Sequence, residues 1–183
     1  DKAPRPFGYA NAGIVEKVGS GVEQFVPGQR VACMGGGFAL HADRVCVPQN
    51  LCAAVPDGVS LEVAASTHLV ATALHAIRRT IPLFGENGMV MGLGIVGQFS
   101  AQIAQLSGCH VIAVDRMPLR VEKAILAGIE CVVNATEDDP VQVAETFSLG
   151  YGIDFGIIAF GGEASGAFEQ IYQSLKQTPD THH

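Results

Sequence analysis

The chain has 183 residues, of which 48% are hydrophobic and 16% are charged, and its formal net charge is −7. This composition is typical of a globular protein with a substantial core. An acidic chain without a Lys/Arg cluster is a poor binder of nucleic acid or anionic membranes. No apolar run approaches the roughly 18 residues that a membrane-spanning helix needs. We therefore expect no nucleic-acid partner and no membrane partner.

The cysteines are too few and too scattered for a disulfide framework. The chain has five, and no two of them form a CxxC pair. An odd, dispersed set argues against a structural zinc lobe and favours reduced, mostly buried thiols. We therefore expect a cytoplasmic protein.

The first part of the chain predicts an all-β unit. Short apolar or alternating runs, separated by Gly and Pro turns, predict strands at 13–18, 30–33, 41–48 and 51–55. A helical pattern then begins at Ser60, whose side chain can cap a helix that runs to Arg79. The chain is therefore predicted to divide into domains at 1–58 and 59–183.

From Met89 onward, strand and helix patterns alternate. The predicted strands are 89–92, 110–115, 131–134 and 153–159, and the predicted helices are 95–107, 118–128, 140–149 and 164–176. This order predicts a doubly wound parallel α/β sheet of the Rossmann type with about four strands. Such sheets usually carry six strands, so we expect this chain to be an internal part of a longer protein.

A GxGxxG pattern follows the first of these strands. Gly92 permits a tight turn, Gly94 leaves room for a pyrophosphate at the backbone, and Gly97 permits close packing of the next helix. Asp115 ends the following strand, where an acid can accept hydrogen bonds from the adenosine ribose. The pattern predicts a dinucleotide-binding βαβ unit, and the alternative is a glycine-rich turn in another doubly wound protein.

The negative charge of Asp115 would repel a 2′-phosphate, so NAD(H) is the predicted cofactor rather than NADP(H). Arg116 and Arg120 oppose this preference, because either side chain could pair with a phosphate. The free N–H groups at the start of the helix that follows the glycines, together with the helix dipole, favour binding of the negatively charged phosphates. The full predicted cofactor-binding set is Gly92, Gly94, Ile95, Val96, Gly97, Asp115, Arg116, Arg120, Phe160 and Gly161.

Several motifs occur in the order known from one enzyme family. Residues 8–19 (GYANAGIVEKVG) are similar to a GHE-x-x-G-x-V-x-x-V-G stretch, and 28–31 (GQRV) to a G-D-R-V turn. Residues 55–58 (VPDG), 64–65 (AA) and 72–76 (TALHA) match further landmarks. The chain thus resembles the alcohol-dehydrogenase-like medium-chain dehydrogenase/reductase family. The resemblance implies an NAD(P)-dependent oxidoreductase with a GroES-like catalytic domain before a Rossmann domain.

The chain departs from the zinc-dependent members of that family. Tyr9 and Ala10 stand where those members have a histidine and a glutamate. The resemblance places a third zinc-ligand position on His68, but one histidine does not make a site, since catalytic zinc takes three protein ligands. Zinc is therefore doubtful, and no metal ligand is predicted.

Three residues are the candidates for catalysis. His68 is either a proton-transfer group or a histidine satisfied in a core or cleft. Tyr9 could donate a proton to a substrate carbonyl, or it could be a packing residue. Thr72 matches a position that lies near the nicotinamide in the family. Alternatively, its hydroxyl bonds back to a carbonyl of its own helix.

The resemblance implies hydride transfer between a nicotinamide cofactor and a small alcohol, polyol or carbonyl substrate. Two alternatives remain, which are a zinc-free quinone or enone reductase and a non-catalytic NAD-binding sensor module. We expect this chain alone to be inactive, and the full-length protein to be a homo-oligomer.

Overall fold

The structure is a computed structural model that describes residues 7–177. The chain divides into two compact units, the first ending at Ala71 and the second beginning at Thr72. The domain boundary predicted at residue 58 is not tested by this division and stays a prediction. The strands are β1 (Ala10–Ile14), β2 (Arg30–Met34), β3 (Cys52–Ala54), β4 (Asn87–Met91), β5 (His110–Asp115), β6 (Cys131–Asn134) and β7 (Phe155–Ile158). The helices are α1 (Leu61–Ala64), α2 (Thr67–Thr80), α3 (Ile95–Leu106), α4 (Pro118–Leu126), α5 (Pro140–Phe147) and α6 (Ser165–Ser174).

The first unit is built on an antiparallel sheet with the strand order β1-β2-β3. Its buried core consists of Val31, Cys33 and Ala39, packed against partly buried apolar neighbours. The strand predicted at 41–48 is wrong, since this segment is irregular. The first predicted strand was placed too late, because β1 begins at Ala10 and ends at Ile14, with one further pair of main-chain bonds from Val15 to Gln29 and Gly28.

The helix predicted from Ser60 to Arg79 is two helices. The Ser60 hydroxyl caps α1 by accepting from the N–H of Val63 at 3.2 Å. The Ser66 hydroxyl donates to the Val63 carbonyl at 2.8 Å, and the Ser66 carbonyl accepts the N–H groups of Leu69 and Val70. A serine that bonds locally in this way competes with continuous helix, so α1 ends and α2 begins here.

The second unit is a parallel sheet with the strand order β6-β5-β4-β7. Helices connect its strands, and the predicted strands and helices are confirmed with ends that differ by at most two residues. Alternate residues of the strands point to opposite faces, so Met89 and Ile112 belong to one core cluster and Val90 and Val111 to another. A sheet that is buried on both faces explains the nearly continuous apolar runs.

Among the described residues, no helix is long and apolar enough to cross a membrane.

Candidate functional site

The glycine turn lies where β4 ends, at the carboxyl edge of the parallel sheet. The N–H of Gly92 donates to the carbonyl of Val114 in the neighbouring strand at 2.7 Å. The backbone of Gly92 has φ +93°, a conformation that side chains disfavour, and an added Cβ would approach the Phe160 ring at 2.8 Å. Gly92 is therefore required both by its backbone conformation and by its neighbours.

The other two glycines of the motif have different reasons to lack a side chain. A Cβ on Gly97 would lie 1.8 Å from the carbonyl oxygen of Gly92, so α3 can pack against the turn only with glycine here. A Cβ on Gly94 would meet no atom within 4 Å. Nothing in the protein itself therefore requires glycine at 94, and the space above it is open.

Gly94 is also the residue that precedes α3. It offers no side chain to cap the helix, and the first intrahelical bond is donated by Gln98 N–H to its carbonyl. The N–H groups of Ile95, Val96 and Gly97 precede that bond, and the positive end of the helix dipole lies here. Such a helix start binds phosphate groups well.

The Asp115 carboxylate ties the end of β5 to the glycine turn. One oxygen accepts the N–H groups of Arg116 and Met117 at 2.7 and 2.8 Å, and the other accepts that of Leu93 at 2.6 Å. Arg120 approaches the same oxygen as Leu93, at 3.4 Å. With about four acceptor positions on a carboxylate, this one is fully engaged, and only 7% of the side chain is exposed.

Burial by itself raises the pKa of Asp115. Its backbone N–H donors, together with the Arg120 guanidinium, outweigh burial, so the pKa of this carboxyl lies below the usual value of aspartate. The carboxylate is therefore charged at neutral pH.

The bond from Leu93 to Asp115 was missed by the sequence reasoning. It joins residues 22 positions apart that the parallel register of β4 and β5 brings together. The sequence did contain a signal for this bond, because Asp115 and the glycine turn lie at the ends of two predicted neighbouring strands. The remaining predicted cofactor residues at this edge are exposed, with Arg116 at the start of the β5–α4 loop and Phe160 and Gly161 after β7.

Two of the three candidate catalytic residues meet in the first unit. The rings of Tyr9 and His68 pack edge to face with their centroids 5.7 Å apart. Tyr9 directly precedes β1, is 50% exposed, and its carbonyl accepts the N–H of Gly35. Thr72 is exposed on α2, at the first residue of the second unit.

The residues at the family's zinc positions do not fit a zinc ion. Ala10 has no ligand atom, and Tyr9 packs its ring against His68. Among residues 7–177, no group of three or more His, Cys, Asp or Glu side chains could hold a metal. We derive no step through zinc for these residues.

An antiparallel β unit that is followed by a Rossmann-type unit defines the class of two-part, alcohol-dehydrogenase-like oxidoreductases. Family models agree in the same order. Residues 1–57 match the alcohol dehydrogenase GroES-like domain, and residues 96–178 match the zinc-binding dehydrogenase model. The chain belongs to the medium-chain dehydrogenase/reductase family.

Individual relatives are similar over almost the whole chain. L-threonine 3-dehydrogenase of Rhizobium johnstonii is 28% identical over 94% of this chain and 57% of its own length. Two crystal structures have the same fold. Escherichia coli quinone oxidoreductase, complexed with NADPH, has a TM-score of 0.79 at 26% identity, covering 96% of this chain and 54% of its own. Bacillus subtilis 2R,3R-butanediol dehydrogenase has a TM-score of 0.78 at 26% identity, covering 96% and 57%. The chain therefore spans a little over half the length of these relatives.

Proposed function

We propose that the protein is an NAD(H)-dependent oxidoreductase that transfers hydride between the nicotinamide and a small alcohol, polyol or carbonyl substrate. The observation that carries the proposal is the open space over Gly94 at the start of α3, beside the charged carboxylate of Asp115. The dehydrogenase and quinone oxidoreductase names of the relatives support the same reaction class.

The residues at the sheet edge fit a dinucleotide. The N–H groups of Ile95, Val96 and Gly97 would bind its pyrophosphate over Gly94. Asp115 would place a negative charge near the adenosine ribose and disfavour a 2′-phosphate, which is the reason for choosing NAD(H). Phe160 and Gly161 would line the same edge. When bound, the nicotinamide supplies the hydride acceptor or donor.

The hydroxyl of the half-exposed Tyr9 would donate a hydrogen bond, and then a proton, to the substrate oxygen. The edge-to-face contact with His68 holds the Tyr9 ring, and His68 would exchange the proton with solvent. Thr72 would act as a further hydrogen-bonding group near the nicotinamide.

A zinc-free quinone or enone reductase is the second candidate. Tyr9 and Ala10 stand where zinc-dependent members of the family have two zinc ligands, which favours a zinc-free reaction. The similarity to a quinone oxidoreductase supports the same candidate. A screen of full-length protein with NADH separates the two candidates. Turnover of alcohols and ketones supports the first, and turnover of quinones or enones alone supports the second.

The first experiment is a titration of the full-length protein with NADH and with NADPH, followed by nicotinamide fluorescence. We expect tighter binding of NADH, and loss of binding in Gly94→Val, because the added side chain fills the phosphate approach. Gly166→Val is the matched control, since Gly166 on α6 also has open space around it. Failure of the wild-type protein to bind either cofactor overturns the proposal. Binding without turnover of any substrate class supports the sensor module instead.

For the full-length protein we also propose a homo-oligomer in the cytoplasm. Light scattering of the purified protein and fractionation of cells that express it measure these two properties. This chain alone is proposed to be inactive, because it spans only part of the length of its relatives.

A further inference from the structure

Two cysteines face each other across the β2–β3 strand pair in the first unit. Cys33 and Cys52 are direct partners in the antiparallel register, and their sulfur atoms lie 3.7 Å apart. The two residues are 19 positions apart in the chain, so this proximity is created only by the sheet. The pair is separate from the cofactor edge, which belongs to the second unit.

The register also gives the type of pair. The N–H of Val55 donates to the Arg30 carbonyl, and bonded and non-bonded pairs alternate along an antiparallel ladder. Three steps further, Cys33 and Cys52 form a non-hydrogen-bonded pair, and the Cys52 N–H accordingly donates to Gln49 instead. Cα atoms in such pairs lie about 4.5 Å apart, within the range that a disulfide spans.

The two thiols differ in their surroundings. Cys33 is 8% exposed in the core of the first unit, whereas Cys52 is only partly buried at the margin of that core. Burial, with a further contribution from the neighbouring Cys52 thiol, raises the pKa of Cys33 to about 12. Cys33 is therefore held as the protonated partner, and Cys52 is the thiol that a reagent from solvent reaches first.

We propose that Cys33 and Cys52 are an oxidation site that a peroxide converts into a disulfide between β2 and β3. The Cys52 thiolate attacks one peroxide oxygen, an S–O bond forms, the O–O bond breaks, and the departing hydroxide takes a proton and leaves as water. The Cys33 sulfur then attacks the Cys52 sulfur and gives its proton to the departing hydroxide, which leaves as a second water. The two thiols lose two hydrogen atoms, and the peroxide is reduced to two waters.

The disulfide would fix the start of the turn that follows β2. Gly35, two residues after Cys33, donates its N–H to the carbonyl of Tyr9. Oxidation would therefore restrain the end of β2, next to the glycine that bonds to a candidate catalytic residue, although the proposal does not depend on that role.

The test is treatment of the full-length protein with hydrogen peroxide, followed by alkylation and peptide mass spectrometry. We expect a cross-linked Cys33–Cys52 peptide, about 2 Da lighter than the sum of the two reduced peptides, that dithiothreitol separates again. The cross-link should be absent in Cys52→Ser and in Cys33→Ser. Cys46→Ser is the control, because Cys46 is the exposed free thiol of the same unit and its loss should leave the cross-link intact.

The same experiment defines the result that would overturn the proposed disulfide. If a peroxide dose that oxidises Cys46 leaves Cys33 and Cys52 as free thiols, or oxidises Cys52 to sulfinic acid with Cys33 still reduced, the proposal is overturned. Because the readout is a covalent bond in the wild-type protein, a variant that fails to fold does not decide the result.

Discussion

The two units differ most in how they bury apolar side chains. Within the described residues, the first unit has one core cluster with three buried members, whereas the second has two clusters with twelve and eight, one on each face of its sheet. Apolar burial contributes roughly in proportion to area. The second unit is therefore stabilised mainly by its core, and the first depends more on its turns and strand pairing.

The largest expected effect tests the closest packing in the second unit. Gly97→Ala places a Cβ against the Gly92 carbonyl oxygen, so α3 must move away from the turn. We expect a loss of about 4 kcal/mol or more in the free energy of unfolding, measured by urea denaturation. The control is Gly94→Ala, where space is open, and we expect about 1 kcal/mol or less. Equal losses in the two variants would contradict the packing argument.

Core truncation compares the units directly. Ile112→Ala, at a fully buried position of β5, should cost about 3 kcal/mol, because it leaves a cavity between sheet and helices. Val31→Ala, in the small core of the first unit, should cost about 1.5 kcal/mol. Hydrogen exchange should locate each loss in its own unit. Faster exchange in β2 after the Ile112 change would show that the units do not open separately.

The Asp115 carboxylate predicts a dependence on pH. Its pKa is lowered in the folded protein, so its stabilisation is present above the unfolded pKa of about 3.9 and is lost as pH falls through the lower, folded pKa. Asp115→Asn should cost about 2 kcal/mol at pH 7, because the charged hydrogen bonds are lost. The difference between the two proteins should shrink below pH 4. Thermal melts from pH 7 to pH 3 measure it, and a constant difference would contradict this assignment.

The smallest effect concerns the arginine beside that carboxylate. Arg120→Gln leaves the backbone donors to Asp115 in place and removes a partly exposed cation. We expect affinity for NADPH to fall about fivefold, since one exposed charge contributes about 1 kcal/mol, while NADH affinity changes little. Arg116→Gln is the comparison variant, and fluorescence titration measures the affinity of each variant for NADH and for NADPH. An equal fall for NADH would show that Arg120 acts through the pyrophosphate or the fold.

The second unit could be predicted from sequence because its signals are local and repeated. Each strand is an apolar run, α4 and α5 begin at a proline, and Gly92, Gly97 and Asp115 occupy the positions that the motif requires. The first unit could not be predicted as well. Segment 41–48 has the alternation of a strand but no partner strand among the described residues, and His41 and Ala42 are its only residues whose N–H groups donate main-chain bonds.

Two of the missed features depend on the pairing of strands that are distant in the chain, and the third is a local hydrogen bond. The predicted helix is interrupted at Ser66, where the hydroxyl donates to the nearby Val63 carbonyl. The Leu93–Asp115 bond forms only in the register of β4 and β5. The facing thiols of Cys33 and Cys52 likewise appear only after β3 pairs with β2. For catalysis, the sequence named Tyr9 and His68, and their roles stay predictions.

The fully engaged carboxylate of Asp115 also limits how cofactor preference could evolve. A lineage that replaced this residue to accept a bulkier, more anionic adenosine would weaken the hold on Leu93 in the same step. Most proteins have little stability to spare. The easier route leaves Asp115 in place and recruits cations from the exposed start of α4, where substitutions leave the glycine turn intact. Descendants that favour the phosphorylated cofactor should then retain the aspartate and differ around it.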